Sequence, residues 1–313
     1  MRKGILRAVA AGMAMAFCQG AHAVELPVEL YGKVNVSRDS ADPGNDDWKS
    51  NASRVGVKGG YELDGGLEVI YQVEQQVDYA HGGTDIDTLL ATRNTFIGLK
   101  GQFGRFFFGT HDTPFKRAQA RIDLFNDQVG DIKTLVPGEV RARDSWVYHS
   151  PKLASGLSLR GMYVPSDGAF GSSKSLSVGW DSGDLHVGFG VDFDMRKNER
   201  AVARTRVYDS WRAVLQYTPG SWKFGALVQS SEQTNAVGAD RETAYVASAA
   251  YKFDKLTLMG QYGASDILRS DAEQLLLGAA YKVAQSTKIY LYLSDLESGG
   301  AVDTISAGFE FKF

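Results

Sequence analysis

The stretch Ile305-Ser306-Ala307-Gly308-Phe309-Glu310-Phe311-Lys312-Phe313 alternates apolar and polar residues. Ile305, Ala307, Phe309, Phe311 and Phe313 fall on one side of an extended chain, and Ser306, Glu310 and Lys312 on the other. A period of two is that of a strand with one apolar and one polar face; a helix repeats every 3.6 residues. Working outward from that segment, the same period recurs along the chain. Val28, Leu30, Gly32, Val34 and Val36 oppose Glu29, Tyr31, Lys33 and Asn35. Leu67, Val69, Tyr71 and Val73 oppose Glu68, Gln72 and Glu74, and Leu185, Val187, Phe189, Val191 and Phe193 oppose His186, Asp192 and Asp194.

The connections sort into two sizes. Seven short ones carry Gly, Asp, Pro or Ser, such as Asp64-Gly65-Gly66, Ser182-Gly183 and Pro219-Gly220, and read as hairpin turns. Eight longer polar stretches alternate with them, including Asp39 to Ser50, Ala80 to Ala91, Asp112 to Val140 and Arg196 to Thr205. Fifteen connections join 16 strands, expected near 26–38, 51–63, 66–79, 92–102, 104–111, 141–150, 156–164, 174–181, 184–194, 206–218, 221–231, 241–253, 255–264, 271–283, 287–296 and 302–313. An even number of antiparallel strands, with short turns at one end and long loops at the other, is the pattern of an outer-membrane β-barrel. The fold class is therefore all-β: a 16-stranded antiparallel transmembrane β-barrel, with the first strand pairing the last so that no edge stays exposed. A soluble two-sheet sandwich also alternates. It gives no reason for aromatics to crowd the strand ends at Tyr217, Trp222, Tyr251, Phe253 and Tyr281, where the interface girdles of a barrel lie.

The other terminus supplies the context. Arg2, Lys3 and Arg7 open a basic segment, an apolar run covers Ala8 to Phe17, and Ala21-His22-Ala23 follows. That order is the pattern of a cleaved secretory signal over 1–23, leaving a barrel domain over 24–313 that starts at Val24. The single cysteine, Cys18, falls within the signal, so the mature chain relies on no disulfide. The residues before Cys18, Ala16-Phe17, do not suit a lipoprotein site. Hydrophobic residues make up 43% of the chain, and Gly (35), Tyr (14) and Phe (16) are plentiful. After the signal, no apolar run approaches the ~20 residues a membrane helix needs. Without the three signal cations, 31 basic residues face 37 acidic ones, a net charge of −6 that offers nothing to nucleic acid. The mature histidines His81, His111, His149 and His186 sit in no nucleophile or metal-ligand spacing. Gly59-Gly60, Gly65-Gly66 and Gly82-Gly83 are strand or turn glycines, not a phosphate loop. No cofactor, metal or catalytic residue is expected, and an outer-membrane hydrolase is disfavoured.

Six motifs, in order, resemble the Gram-negative general porins, in particular the branch found in Neisseria, Burkholderia and marine proteobacteria. They are Val28-Glu29-Leu30-Tyr31-Gly32-Lys33, Ser53-Arg54-Val55-Gly56-Val57-Lys58-Gly59, Arg93-Asn94-Thr95-Phe96-Ile97-Gly98-Leu99-Lys100-Gly101, His111-Asp112-Thr113-Pro114-Phe115-Lys116, Ser145-Trp146-Val147-Tyr148-His149-Ser150-Pro151 and Gly308-Phe309-Glu310-Phe311-Lys312-Phe313. The resemblance implies a general diffusion channel: a water-filled pore for small hydrophilic solutes and ions, embedded in outer-membrane lipid and assembled as a homotrimer. It also implies that the terminal Phe313 is read by the barrel assembly machinery. Phe96, Phe106 and Phe108 are then candidates for subunit contact.

In that family the third external loop folds inward and narrows the pore. Here the loop from Asp112 to Val140 is too long and too apolar (Ile122, Leu124, Phe125, Ile132, Leu135) to be left in solvent. The expected constriction sets an acidic loop (Asp123, Asp127, Asp131, Glu139) against a basic wall (Lys33, Arg54, Arg93, Arg141). Strand parity turns Lys33, Arg54 and Arg141 inward. Arg93 shares parity with apolar Ile97 and Leu99 and needs a bulge to point the same way. Two arginines of the family pattern are replaced, by Thr110 and Val147, which thins the basic wall and leaves ion preference open. The alternative is a substrate-selective porin for an anion or sugar. Its aromatic track would draw on Tyr31, Phe107, Tyr290 and Tyr292, which are few and scattered.

Overall fold

A computed structural model describes residues 27–81, 90–153, 155–168, 170–197 and 205–313. The expected signal 1–23 and the first residues of the domain after it lie outside them. Eighteen hydrogen-bonded segments form one antiparallel sheet. They make 16 wall strands, because two strands are each built from two segments that pair with the same neighbour. In chain order these are β1 (Glu29–Asp42), β2 (Asp47–Ser50 with Arg54–Leu63), β3 (Leu67–Val77), β4 (Leu90–Thr92 with Thr95–Gly101), β5 (Gly104–Asp112), β6 (Arg141–His149), β7 (Leu157–Val164) and β8 (Ser173–Ser182). The second half comprises β9 (Leu185–Arg196), β10 (Val207–Tyr217), β11 (Trp222–Gln233), β12 (Arg241–Phe253), β13 (Leu256–Ser265), β14 (Ala272–Ala284), β15 (Thr287–Glu297) and β16 (Ala301–Lys312).

Each strand pairs its sequence neighbour, and β1 also pairs β16 from Lys33↔Lys312 to Asp42↔Asp303. The seam continues past the last strand residue. Gly32 donates to the Phe313 carbonyl at 2.9 Å and Phe313 donates to the Gly32 carbonyl at 3.1 Å. A Cβ on Gly32 would collide with the Phe313 ring, so glycine is what lets the terminal aromatic lie across the seam.

The two faces invert the usual order of a soluble protein. Leu215, Leu277, Leu293, Ile305 and Phe309 are exposed, while Ser37, Ser145, Ser175, Gln229 and Ser306 are buried. No helix among the described residues is long and apolar enough to cross a membrane. Exposed leucines and aromatics in a closed ring of strands satisfy a lipid surface, and closure leaves no backbone group unpaired toward it. At the short-turn end, Trp222 packs on Tyr251 with ring centroids 4.6 Å apart and on Phe224 at 5.4 Å, forming part of an aromatic girdle.

Two departures from the sequence reading have local causes. The stretch Asp39 to Ser50 was expected as a long loop, but the ladder continues through Ser37↔Lys49 and Asp39↔Asp47, leaving only 43–46 as the turn. Apolar alternation lapses there because both faces are polar, while the hydrogen-bonded pairing persists. The second departure is the pair of interruptions. At 51–53, Ala52 takes φ 50° and Asn51 and Ser53 turn to the buried face. At 93–94 the register against β3 moves by one residue, from Gln75↔Thr92 to Gln72↔Phe96. Beyond it, Phe96 alternates with the exposed Ile97 and Leu99 and lies on the ring of Phe107 at 4.5 Å, on the face opposite Phe106 and Phe108. Phe96 is therefore not available for the subunit contact expected of it.

Candidate functional site

The segment between β5 and β6 is where buried polar and apolar groups concentrate. It opens with a one-turn helix, α1 (Pro114–Ala118). Thr113 caps it by accepting the Lys116 backbone N–H at 3.1 Å, and Pro114 supplies the favoured first position. Phe115, Ile122, Phe125 and Ile132 are fully buried. Burial of that kind contributes roughly 1.5–3 kcal/mol per side chain.

The wall facing these residues is made to receive them. A Cβ on Gly225 would come within 2.8 Å of Ile122, one on Gly263 within 2.5 Å of Leu135, and one on Gly278 within 2.9 Å of Phe125. Serine and glutamine side chains of β8, β12 and β13 close the segment's free backbone groups. Ser175 accepts from Phe115 N–H at 3.0 Å, and Gln261 accepts from Leu124 N–H at 2.9 Å. Ser248 donates to the Ile122 carbonyl at 2.6 Å and Ser265 to the Leu135 carbonyl at 2.8 Å. Phe125 meets the ring of Tyr292 edge-on at 5.0 Å. Arg212 of β10, with no exposed surface, pins the segment's end. It pairs with Glu139 at 2.9 Å, donates twice to Gln229 at 3.1 and 2.7 Å, and lies 4.1 Å over the Phe115 ring.

The four acids expected on the segment divide by partner. Asp127 reaches the bases of the opposite wall, 3.4 Å from Lys33 and 3.8 Å from Arg54. Burial opposes its charge, but Lys33, Arg93, Lys116 and Arg54 outweigh burial and hold its carboxyl below the usual range. Glu139 pairs with Arg212 and lies 3.9 Å from Lys116; burial pushes its carboxyl up in spite of both. Asp123 is buried and accepts the backbone N–H groups of Phe125 (3.1 Å) and Ile132 (3.2 Å). Burial first, and the neighbouring Asp131 second, raise its carboxyl. Asp131 caps the short 3₁₀ turn Ile132–Thr134 by accepting Lys133 N–H, and it also accepts Asp127 N–H at 2.9 Å. Asp123 and Asp131 thus hold the segment's own backbone.

The four wall bases come together on β1, β2, β4 and β6, and they are already paired. Glu74 of β3, an acid on the wall itself, takes Arg93 Nε at 2.8 Å, Arg54 Nε at 3.5 Å and the Tyr31 hydroxyl at 3.0 Å. Arg141 pairs with Asp112 at 3.0 Å and donates to the Asn94 side chain at 3.0 Å. Arg93 reaches this group through the interruption of β4, which also lets its backbone N–H bond the Glu74 carbonyl at 2.9 Å. Between segment and wall lies a cavity of about 430 Å³, lined by Arg93, Arg141, Lys116, Asp127, Asp131 and Glu139 among others. Glu74, Asp112 and Lys116 were missing from the sequence reading of the site. Glu74 had the right parity, beside Gln72 and Gln76, and was passed over because only bases were sought on the wall. At Val147, where the family pattern has an arginine, an apolar patch with Phe107 and Met162 stands instead.

Comparison with known proteins fits this architecture. The profile of the Gram-negative porin family matches residues 8–301. The major outer membrane protein P.IB of Neisseria meningitidis serogroup B is 28% identical over 263 residues, covering 79% of this chain and 77% of that protein. The solved anion-selective porin from Comamonas acidovorans superposes with a TM-score of 0.74 at 18% identity, covering 92% of this chain and all of that one. The trimer form of in-vitro folded OmpT from Vibrio cholerae does so at 0.67 and 19%, over 92% and 99%. At these identities the superpositions speak for the fold alone, and the family match, with the barrel, carries the assignment. A closed ring of 16 strands with lipid-suited flanks, matched to this family over nearly its whole length, places the chain in the Gram-negative porin family, as a porin channel of the outer membrane.

Proposed function

We propose that the chain is a general diffusion porin of weak ion preference, narrowed by the 113–140 segment folded into the lumen. The observation that carries this reading is the pairing of charge around the cavity. Lys33, Arg54 and Arg93 share Glu74 and Asp127, Arg141 and Lys116 share Asp112, and Arg212 meets Glu139, so every base has an acid within reach and only a small positive excess remains. A channel selects by width and by the net charge of its lining, and paired charges cancel most of their distant field while still keeping the lining wet. The lumenal placement is supported by the segment's contacts, which fall on the buried-face residues of β1 and of β8 to β14. In this reading Lys33, Arg54, Arg93 and Arg141 form the basic side of the constriction and Asp127 and Glu139 the acidic side, while Asp123 and Asp131 shape the loop.

The active form in this proposal is a homotrimer with one pore per subunit, consistent with the trimer form of the Vibrio cholerae neighbour. Phe313 serves as the signal for barrel assembly, and the chain performs no chemistry on its solutes. The test is single-channel current in a planar bilayer under a salt gradient. Conductance in steps grouped by three, with a reversal potential near zero, is expected. A folded, heat-resistant barrel that passes no current sinks the channel reading, and small currents blocked by one solute at low concentration favour a selective porin instead.

A further inference from the structure

The inner lining is not balanced along its whole length. Between the underside of the 113–140 segment and the short-turn ends of β11 to β16 lies a second cavity, of about 790 Å³. Arg121, Lys223, Lys252, Lys288 and Lys312 line it, with Thr218, Gly220 and Ser221 of the β10–β11 turn at its rim. The parity of each strand explains the clustering. Lys223 shares the buried-face parity of Gly225 and Leu227, Lys252 that of Ser248 and Ala250, and Lys288 that of Tyr290 and Tyr292. Arg121 is brought in by the segment, whose backbone is tied there by Arg121 N–H to Gln216 at 3.2 Å.

Compensation is scarce. The acid in the lining, Asp123, is buried and committed to two backbone N–H groups and to Gln261. Glu310 is shared between Lys312 at 3.0 Å and Lys288 at 3.6 Å, one charge for two. Arg121, Lys223 and Lys252 form no ion pair with any described residue. The chain as a whole is acidic, at −3, so this concentration of cations opposes the average. Like charges gathered in a concave, low-dielectric wall focus a positive potential into the space they enclose. A single oxyanion with two or more charges relieves several of these repulsions at once, which a monovalent ion cannot do.

We propose that this cavity is a binding site for multivalent oxyanions, entered from the short-turn mouth, the periplasmic end in this architecture. The site rests on the reading of the chain as an open channel only for its access from the pore. It is distinct from the constriction, whose charges are paired.

Inorganic tripolyphosphate is the probe. The mature protein is inserted in a planar bilayer, and its orientation is fixed by a membrane-impermeant thiol reagent on Val237→Cys, an exposed position in the long-loop turn after β11. Tripolyphosphate added at the short-turn side is expected to block at a concentration about tenfold lower than from the other side, within the range that electrostatic focusing gives. The double variant Lys223→Gln, Lys252→Gln is expected to raise the blocking concentration about tenfold while its chloride current persists. Calorimetric titration of tripolyphosphate into the detergent-solubilised protein reads the same site without current. Heat that disappears in the double variant supports the site even if the channel is silent, a result that would count against the diffusion reading alone. Equal block from both sides, block or heat unchanged in the double variant, or loss of both in Arg54→Gln with the lysines intact overturns it.

Discussion

The two halves of the barrel wall meet the 113–140 segment by different physics. Toward β8–β14 the contacts are apolar or neutral: Ile122, Phe125 and Leu135 seat over glycines, and serines and glutamines finish the backbone hydrogen bonds. Toward β1–β6 the contacts are ionic, with Asp127 against Lys33 and Arg54, and Lys116 and Arg141 around Asp112. Close packing is indifferent to salt and pH, whereas partly exposed ion pairs respond to both. One half fixes where the segment lies, and under the proposed function the other sets the field that solutes meet. Arg212–Glu139 is the exception, an ion pair on the packed side, buried as deeply as the apolar residues beside it.

The largest effect should come from that exception. Arg212→Met leaves buried Glu139 with only the distant Lys116 as a counter-charge, at a cost of up to about 3–5 kcal/mol. The expected result is a segment cleavable by protease between 113 and 140 in an otherwise heat-resistant barrel, with noisier and larger currents; intact protection would show that the packing holds the segment alone. Gly225→Val comes next, since the new side chain enters the volume of Ile122 and overpacking costs about 1–3 kcal/mol. Urea unfolding in lipid vesicles should show that loss, and Gly171→Ala, in an exposed connection with open space around it and no positive φ, is the control for the barrel itself. A smaller effect belongs to the ionic half. Glu74→Gln removes the acid shared by Arg54 and Arg93, and a unit charge at 4 Å in water is worth ~1 kcal/mol, about fivefold in local anion concentration. Reversal potential should move toward anions with the barrel's stability unchanged; no movement would mean that the pair lies outside the permeation path.

The smallest effect is the pH response. Asp127 has a carboxyl depressed below its ordinary value of about 3.9, so its contribution is complete above that value. It is lost only as pH falls through the lower folded value. If Asp127 alone sets the field, conductance should therefore hold steady from neutral pH down to about pH 5 and change only below about pH 4. Asp127→Asn should show the acid-state conductance at neutral pH. A response at higher pH would instead point to Asp123 or Glu139, whose carboxyls burial raises and whose contributions fall as pH climbs.

How much of this was legible beforehand follows from where each signal lives. Strand number and closure were readable because lipid imposes a period of two on every membrane-crossing residue, as in Leu185 to Phe193. The hairpin around Ser37 and Lys49 was not, because above the lipid both faces are wet and the period vanishes while the ladder goes on. Arg93 needed the register shift at 93–94 to be placed, and parity alone pointed it the wrong way. The loop acids were legible as a group and not as individuals. Nothing in the spacing of Asp123, Asp127, Asp131 and Glu139 says that the first accepts backbone N–H groups and the second crosses to Lys33. That distinction comes from the turn geometry of the segment. The wall acid Glu74 needed the thought that a basic ladder carries its own counter-charge.

The seam between Gly32 and Phe313 has a consequence in sequence distance. Every other pair of neighbouring strands follows one another along the chain, so each of those ladders can form locally, whereas the ladder that closes the ring joins the first strand to the sixteenth. Closure is thus the one pairing that no hairpin can supply, and it carries the largest loop-closure cost. Until it forms, the sheet keeps two unpaired edges.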